Sequence, residues 1–260
     1  MDINTIDLNG KTAFITGSTQ GIGLAIAKVL SQLGAKVIIH GRSREKVQRI
    51  IQEEYKYGFV GFAIPLDDPN QIDNLLDEML NKYKVDILVN NAGIGKPLRF
   101  EETTLDYWKH VYQVNLFSHI QIINKLLPYM KERAWGRIIN ISSSVAENIK
   151  PYFPAYSSSK AALVHITKVL AQTCAENNIL VNCILPGSIK TEMTQYAIQM
   201  YSSKFGVSIQ ESEYYLYTKN VALKRMGDPR DIANFVAYLC SEAANFINGA
   251  CIPINGGVTI

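Results

Sequence analysis

TAFITGSTQGIGLAIAKVLSQLGAKVIIHG, residues 12–41, reads as a strand, a glycine-rich turn, a helix and a second strand. The first strand runs into Thr16-Gly17-Ser18-Thr19-Gln20-Gly21-Ile22-Gly23, and the apolar periodicity that follows opens a helix. Three glycines here have separate tasks: permitting the turn, letting backbone approach a pyrophosphate, and bringing helix and strand close together. The helix amino terminus adds free N–H groups and a partial positive charge toward phosphates. A strand before and a helix after distinguish this fingerprint from chance glycines. Gly17, Ser18, Thr19, Gln20, Gly21, Ile22 and Gly23 are therefore the expected cradle of a dinucleotide.

Outward from that turn, short β-branched runs alternate with helical patterns along the whole chain, with no repeat or linker to mark a boundary. Strands are expected at 12–16, 36–40, 59–64, 85–90, 137–142, 179–185 and 250–254, and helices at 22–32, 44–55, 70–83, 104–130, 155–176 and 229–241. This alternation predicts an α/β fold: one Rossmann-type, doubly wound domain over 1–260, with a seven-stranded parallel sheet and helices on both faces. One segment breaks the rhythm. Between Pro186 and Met226 no strand is expected, and the spacing of Tyr196, Met200 and Tyr201, then of Tyr214, Tyr215 and Tyr217, suggests two short amphipathic helices. A stretch of that length is usually functional, so 188–224 is expected to cover the substrate; packing against a neighbouring subunit is the alternative.

With 47% hydrophobic and 19% charged residues, the composition is that of an ordinary globular chain. The net charge of +3 comes from scattered basic residues, which argues against a nucleic-acid partner. No apolar run approaches the roughly 20 residues of a membrane span, and the start carries no basic, apolar leader, so a cytoplasmic protein is expected. Cys174, Cys183, Cys240 and Cys251 show no metal-binding spacing and sit in apolar contexts, so no metal is expected.

The chemistry is sought near Tyr156-Ser157-Ser158-Ser159-Lys160, at the start of a long helix. A separation of four puts phenol and ammonium on one face, a turn apart. A free tyrosine titrates near 10, and lowering it three units takes about 4 kcal/mol of phenolate stabilisation. The Lys160 ammonium, aided by an oxidised nicotinamide, is expected to supply this, making Tyr156 a general acid for reduction and a general base for oxidation. The fifth strand ends in Ser142-Ser143-Ser144, and strand carboxyl ends are where ligands sit in open α/β sheets. A serine there can hold a substrate oxygen toward the phenol. No G-x-S-x-G elbow is present and no histidine has an evident partner, so a hydrolase is not indicated.

The TGxxxGxG spacing, Tyr156 and Lys160 together resemble the short-chain dehydrogenase/reductase family, in its 3-oxoacyl-carrier-protein-reductase-like branch, essentially from end to end. The resemblance selects Ser143, which lies 13 residues before Tyr156, as the substrate-holding serine. It implies that Asn115, in Val114-Asn115-Leu116, holds a water beside Lys160 for proton relay, and that Lys160 and Tyr156 also contact the nicotinamide ribose. Asn91, Ala92 and Gly93 match the family's NNAG element beside the adenosine. Pro186, Gly187, Ile189 and Thr191 match its PGxxxT element, beside the carboxamide and phosphates.

At the end of the second strand Gly41 occupies the place of the acid that selects a ribose 2′-hydroxyl, and Arg42 follows. A guanidinium there suits a 2′-phosphate, so NADP(H) is favoured, with NAD(H) possible. The basic residue that some NADP-dependent relatives carry in the glycine loop is replaced by Thr19 and Gln20. Beside the adenine the alignment offers Pro65, with Leu66 giving backbone contacts, or Asp67 if the register slips by two; both stay open. The expected activity is reduction of a ketone or 3-oxoacyl carbonyl to a secondary alcohol. The alternatives are oxidation of such an alcohol and a non-catalytic cofactor-binding protein. Relatives imply a homotetramer or homodimer, pairing through the helices near 104–130 and 155–176.

Overall fold

A computed structural model of the chain describes residues 6–148 and 150–258; the extremities of the predicted 1–260 domain and residue 149 lie outside the described residues. Seven strands form the sheet: β1 (Thr12–Ile15), β2 (Lys36–Gly41), β3 (Val60–Ala63), β4 (Ile87–Asn90), β5 (Gly136–Ile141), β6 (Ile179–Pro186) and β7 (Cys251–Ile254). Their order is β3-β2-β1-β4-β5-β6-β7 and every pairing is parallel. A parallel sheet needs cover on both faces, and its central strands are buried throughout, β4 and β6 reading as unbroken buried runs.

The helices are α1 (Gly21–Gln32), α2 (Arg44–Glu53), α3 (Pro69–Lys82), α4 (Leu105–Tyr112), α5 (Ser118–Glu132), α6 (Pro154–Cys174), α7 (Glu192–Phe205), α8 (Ile209–Glu213) and α9 (Pro229–Cys240). One apolar cluster joins Ile26 and Leu30 of α1 to Ile232 and Val236 of α9 across β1 and β4. A second, on the other face, joins Leu76 and Met79 of α3 to Ile122 and Leu126 of α5. Each such fully buried side chain contributes about 1.5–3 kcal/mol. Local signals set the ends: Asp68 accepts from Asn70 N–H and precedes Pro69, and Asp228 caps α9 ahead of Pro229 in the same way.

Two expectations about elements need adjusting. The helix expected at 104–130 is three pieces, because a π turn over Gln113–Phe117 separates α4 from α5. The two short helices expected in 188–224 are α7 and α8, with a second π turn over Tyr214–Thr218 prolonging α8. No helix of the described residues is long and apolar enough to cross a membrane. Cys174, Cys183 and Cys240 are buried free thiols, and Cys251 is partly exposed.

Strand order reverses between β1 and β4, where crossovers leave in opposite directions and open a crevice at the carboxyl ends. The glycine-rich turn follows β1, and Asn91 to Gly95 follow β4.

Candidate active site

At the glycine-rich turn, Gly17 has a φ of +62°, and a Cβ there would lie 2.9 Å from Ala92 Cα. A Cβ on Gly23 would lie 2.4 Å from the Gly17 oxygen and 2.5 Å from Asn91 Nδ2. Both positions therefore exclude larger side chains. Asn91 Nδ2 donates to the carbonyls of Thr16 (2.9 Å) and Gly17 (3.0 Å), while the backbone N–H groups of Asn91 and Ala92 both donate to Thr16 Oγ1 at 3.0 Å. Ser18 is wholly buried; its hydroxyl donates to Ile15 O at 2.7 Å and accepts from His40 N at 2.9 Å. The Ser18 side chain thus locks the turn internally, and its N–H does the same by donating to His40 O at 2.9 Å.

Sequence reasoning gave His40 no partner, but its ring ties the turn to β3. Gly17 N–H donates to His40 Nδ1 at 3.1 Å, which requires the proton on Nε2, and Nε2 donates to Ile64 O at 3.0 Å. Burial drives its pKa down to about 4, so it stays neutral. Gln20 caps α1 with no side-chain bond to the helix, and the first turn of α1 holds no acidic residue. The amino-terminal N–H groups of α1 are thereby left for an anion, and with the crowded glycines they fit a dinucleotide pyrophosphate.

The carboxyl end of β5 and the start of α6 meet across one cavity of about 720 Å³, lined among others by Ser143, Tyr156, Lys160 and Ile94. Ile22, Asn91, Gly93, Pro186, Gly187, Ile189 and Thr191 line the same cavity, whereas Arg42 and Leu66 do not. Arg42 stands exposed past the end of β2, and Leu66 is buried past β3. The Asp67 carboxylate lies 3.8 Å from His110 Nδ1 of α4.

Lys160 is 2% exposed, and its Nζ donates to Ile141 O at 2.8 Å. That Nζ lies 5.8 Å from the Tyr156 ring centroid. Burial pulls the Lys160 pKa down to about 8. Tyr156 keeps some surface toward the cavity, yet its dry surroundings push the phenol above its ordinary 10; the Ser143 hydroxyl beside it opposes the shift. Burial thus sets the direction of the phenol shift, while the Lys160 ammonium is bonded to the Ile141 carbonyl.

Asn115 is fully buried in the π turn. Its Oδ1 accepts from Ile94 N at 2.8 Å, and its Nδ2 donates to Ile94 O at 2.9 Å and to Ser159 Oγ at 3.0 Å. Ser142 Oγ donates to Lys160 O at 2.8 Å, a structural bond, and Ser144 opens the short turn after Ser143. Gly95 went unnoticed in the sequence: a Cβ there would sit 2.7 Å from Tyr156 Cδ2, so only hydrogen fits against the phenol ring. A Cβ on Gly93 would come within 3.2 Å of Lys160 Nζ. Thr191 caps α7 and would meet a Cβ on Gly21 at 3.2 Å, joining the 188–224 segment to the glycine-rich turn.

Comparison with known proteins bears on this arrangement. The family model described as short chain dehydrogenase matches residues 11–202. A 3-oxoacyl-(acyl-carrier-protein) reductase of Aquifex aeolicus is 37% identical over 257 residues, covering 97% of this chain and 99% of that protein. A 7alpha-hydroxysteroid dehydrogenase of Escherichia coli is 34% identical, covering 98% of this chain and 96% of that protein. Among solved structures, L-sorbose reductase from Gluconobacter frateurii, complexed with NADPH and L-sorbose, superposes with a TM-score of 0.94 at 30% identity, covering 98% of this chain and 100% of that one.

Proposed function

The chain belongs to the short-chain dehydrogenase/reductase family, and from that premise we propose that it reduces a ketone to a secondary alcohol, with NADP(H) as hydride carrier and Tyr156 as proton donor. The observation that carries the reading is the convergence of Ser143, Tyr156 and Lys160 on a cavity shared with Ile22, Asn91 and Gly93. The NADPH in the L-sorbose reductase structure supports the choice of carrier, as does Gly41 in place of a carboxylate, with Arg42 beside it.

When bound, the reduced dinucleotide supplies a hydride to the carbonyl carbon. Ser143 donates a hydrogen bond to the carbonyl oxygen and holds it toward the phenol. Tyr156 gives that oxygen its proton as charge develops. Burial favours this direction, since a raised phenol pKa keeps Tyr156 protonated until a strong acceptor arrives. Lys160, with a pKa of about 8, returns a proton to the phenolate. Asn115 and the Ile94 carbonyl hold the water that resupplies Lys160. Backbone of Gly17 to Gly23, Leu66, Ala92, Pro186, Gly187 and Ile189, with Asn91 and Thr191, lines the carrier's path.

Met193, Tyr215 and Tyr217 line the cavity, which supports the 188–224 segment as the wall against the rest of the substrate. The reading extends to one cytoplasmic domain assembled as a homotetramer or homodimer.

The test is NADPH oxidation, followed by absorbance, over a panel of ketones including 3-oxoacyl thioesters and ketoses, with Tyr156→Phe as control. The variant is expected to lose about 10²-fold or more in turnover while binding NADPH as before. A fully active phenylalanine variant would remove Tyr156 from the mechanism. A wild-type protein that binds NADPH tightly but reduces no carbonyl would point to a binding protein.

A further inference from the structure

The ribose end of the dinucleotide crevice holds a cation that neither the family fingerprint nor the glycine-rich turn supplies. Gly41 ends β2, and a Cβ there would lie 2.7 Å from Thr19 Cγ2 and 3.1 Å from Val47 Cγ2. Those atoms belong to a loop residue that is 7% exposed and to a buried core valine. A carboxylate able to accept bonds from ribose hydroxyls therefore has no room at this position without moving Thr19.

Beside that closed position, the chain turns into α2. Ser43 caps the helix, its Oγ accepting from Lys46 N–H at 3.2 Å. The cap places Lys46 in the first turn, facing back toward α1. Its Nζ donates to the side-chain oxygen of Gln20, the residue that caps α1 without bonding to it. The ammonium thus reaches the loop where Thr19 and Gln20 stand in place of a basic residue, but it arrives from α2, 26 positions along the chain.

Among the described residues, neither Arg42 nor Lys46 takes part in an ion pair. The neighbouring Glu45 carboxylate accepts from the Ser43 hydroxyl at 2.6 Å. An ammonium bonded to a neutral amide has no counter-charge there, and a bond from it to an anion is the stronger, charge-assisted kind. We infer that Lys46 and Arg42 together form the two-cation seat of the ribose 2′-phosphate, with Gln20 steering Lys46 toward it. Arg42 offers a planar fork and Lys46 a compact charge. This inference deepens the NADP(H) reading above and rests on it.

The experiment is a fluorescence titration of the intact protein with NADPH and, separately, with NADH, repeated for Lys46→Met and Lys46→Arg. Lys46→Met is expected to raise the Kd for NADPH about tenfold, the lower end for a partly exposed charge-assisted bond, and to leave the Kd for NADH within about twofold. Lys46→Arg should retain the preference, and the Lys46→Met penalty should shrink as salt rises. Equal weakening toward both carriers would reduce Lys46 to a structural role and overturn the inference. So would an unchanged Kd for NADPH in Lys46→Met when the wild type prefers NADPH, and in that outcome the cofactor reading survives. A wild type that binds NADH as tightly as NADPH overturns the cofactor reading and this inference together.

Discussion

His40 and His119 are buried, and burial holds them neutral: the pKa of His40 falls to about 4, and that of His119, where the Lys160 charge adds to burial, to about 3. In the unfolded chain both titrate near 6.5. As pH drops below that value the unfolded state takes up protons that the folded state refuses, so stability falls with pH until the folded values are reached. Over the full span the loss is of the order of 3 kcal/mol for His40 and 5 kcal/mol for His119. Urea midpoints should therefore fall between pH 7 and pH 5; a flat midpoint over that window would contradict the burial of these rings. The task of His40 was not legible in the sequence, because a buried imidazole between two backbone groups has no spacing to betray it. The pairing of Tyr156 with Lys160 on one helical face was legible from a separation of four, but the direction of the phenol pKa was not. That direction depends on how dry the cavity wall is, which a local pattern does not encode. Gly95 shows the same limit, since its smallness answers to a ring 61 residues away.

Among elements, the strands and most helices follow from alternation and capping, since a parallel strand buried on both faces leaves a plain apolar run. The π turn at Gln113–Phe117 was hidden, because five residues of π and α geometry leave nearly the same apolar spacing. Its effect is local and chemical: it lies where Asn115 bonds both backbone groups of Ile94. Asn115→Ala should leave the part-buried Ile94 N–H and C=O without those partners, at about 1 kcal/mol for each, and should also lower turnover if the relay reading is right. Thermal melts and steady-state rates on one preparation would separate the two effects. Unchanged stability would dismiss the structural role, and unchanged kcat the relay.

For the whole molecule, Leu105 at the start of α4 is 68% exposed and Phe117 in the π turn is 50% exposed. Both lie on the long helical stretch through which the family resemblance implies pairing. A specific contact needs about 1,200–2,000 Å² of buried surface, and apolar side chains near its centre carry most of the energy. Light scattering should give a particle mass that is a multiple of 29.1 kDa, and Phe117→Glu should shift it toward the smaller species. A wild-type mass of one chain would refute assembly. This scale was the least legible from one sequence, because an exposed leucine reads the same whether water or another copy covers it.

The crowding of Thr19 and Val47 against Gly41 reaches beyond binding strength. An aspartate introduced there to retarget the enzyme to the cheaper, unphosphorylated carrier would have to turn the Thr19 side chain aside. A design that also shrinks Thr19 and removes the Lys46 charge clears that route more fully than the single exchange.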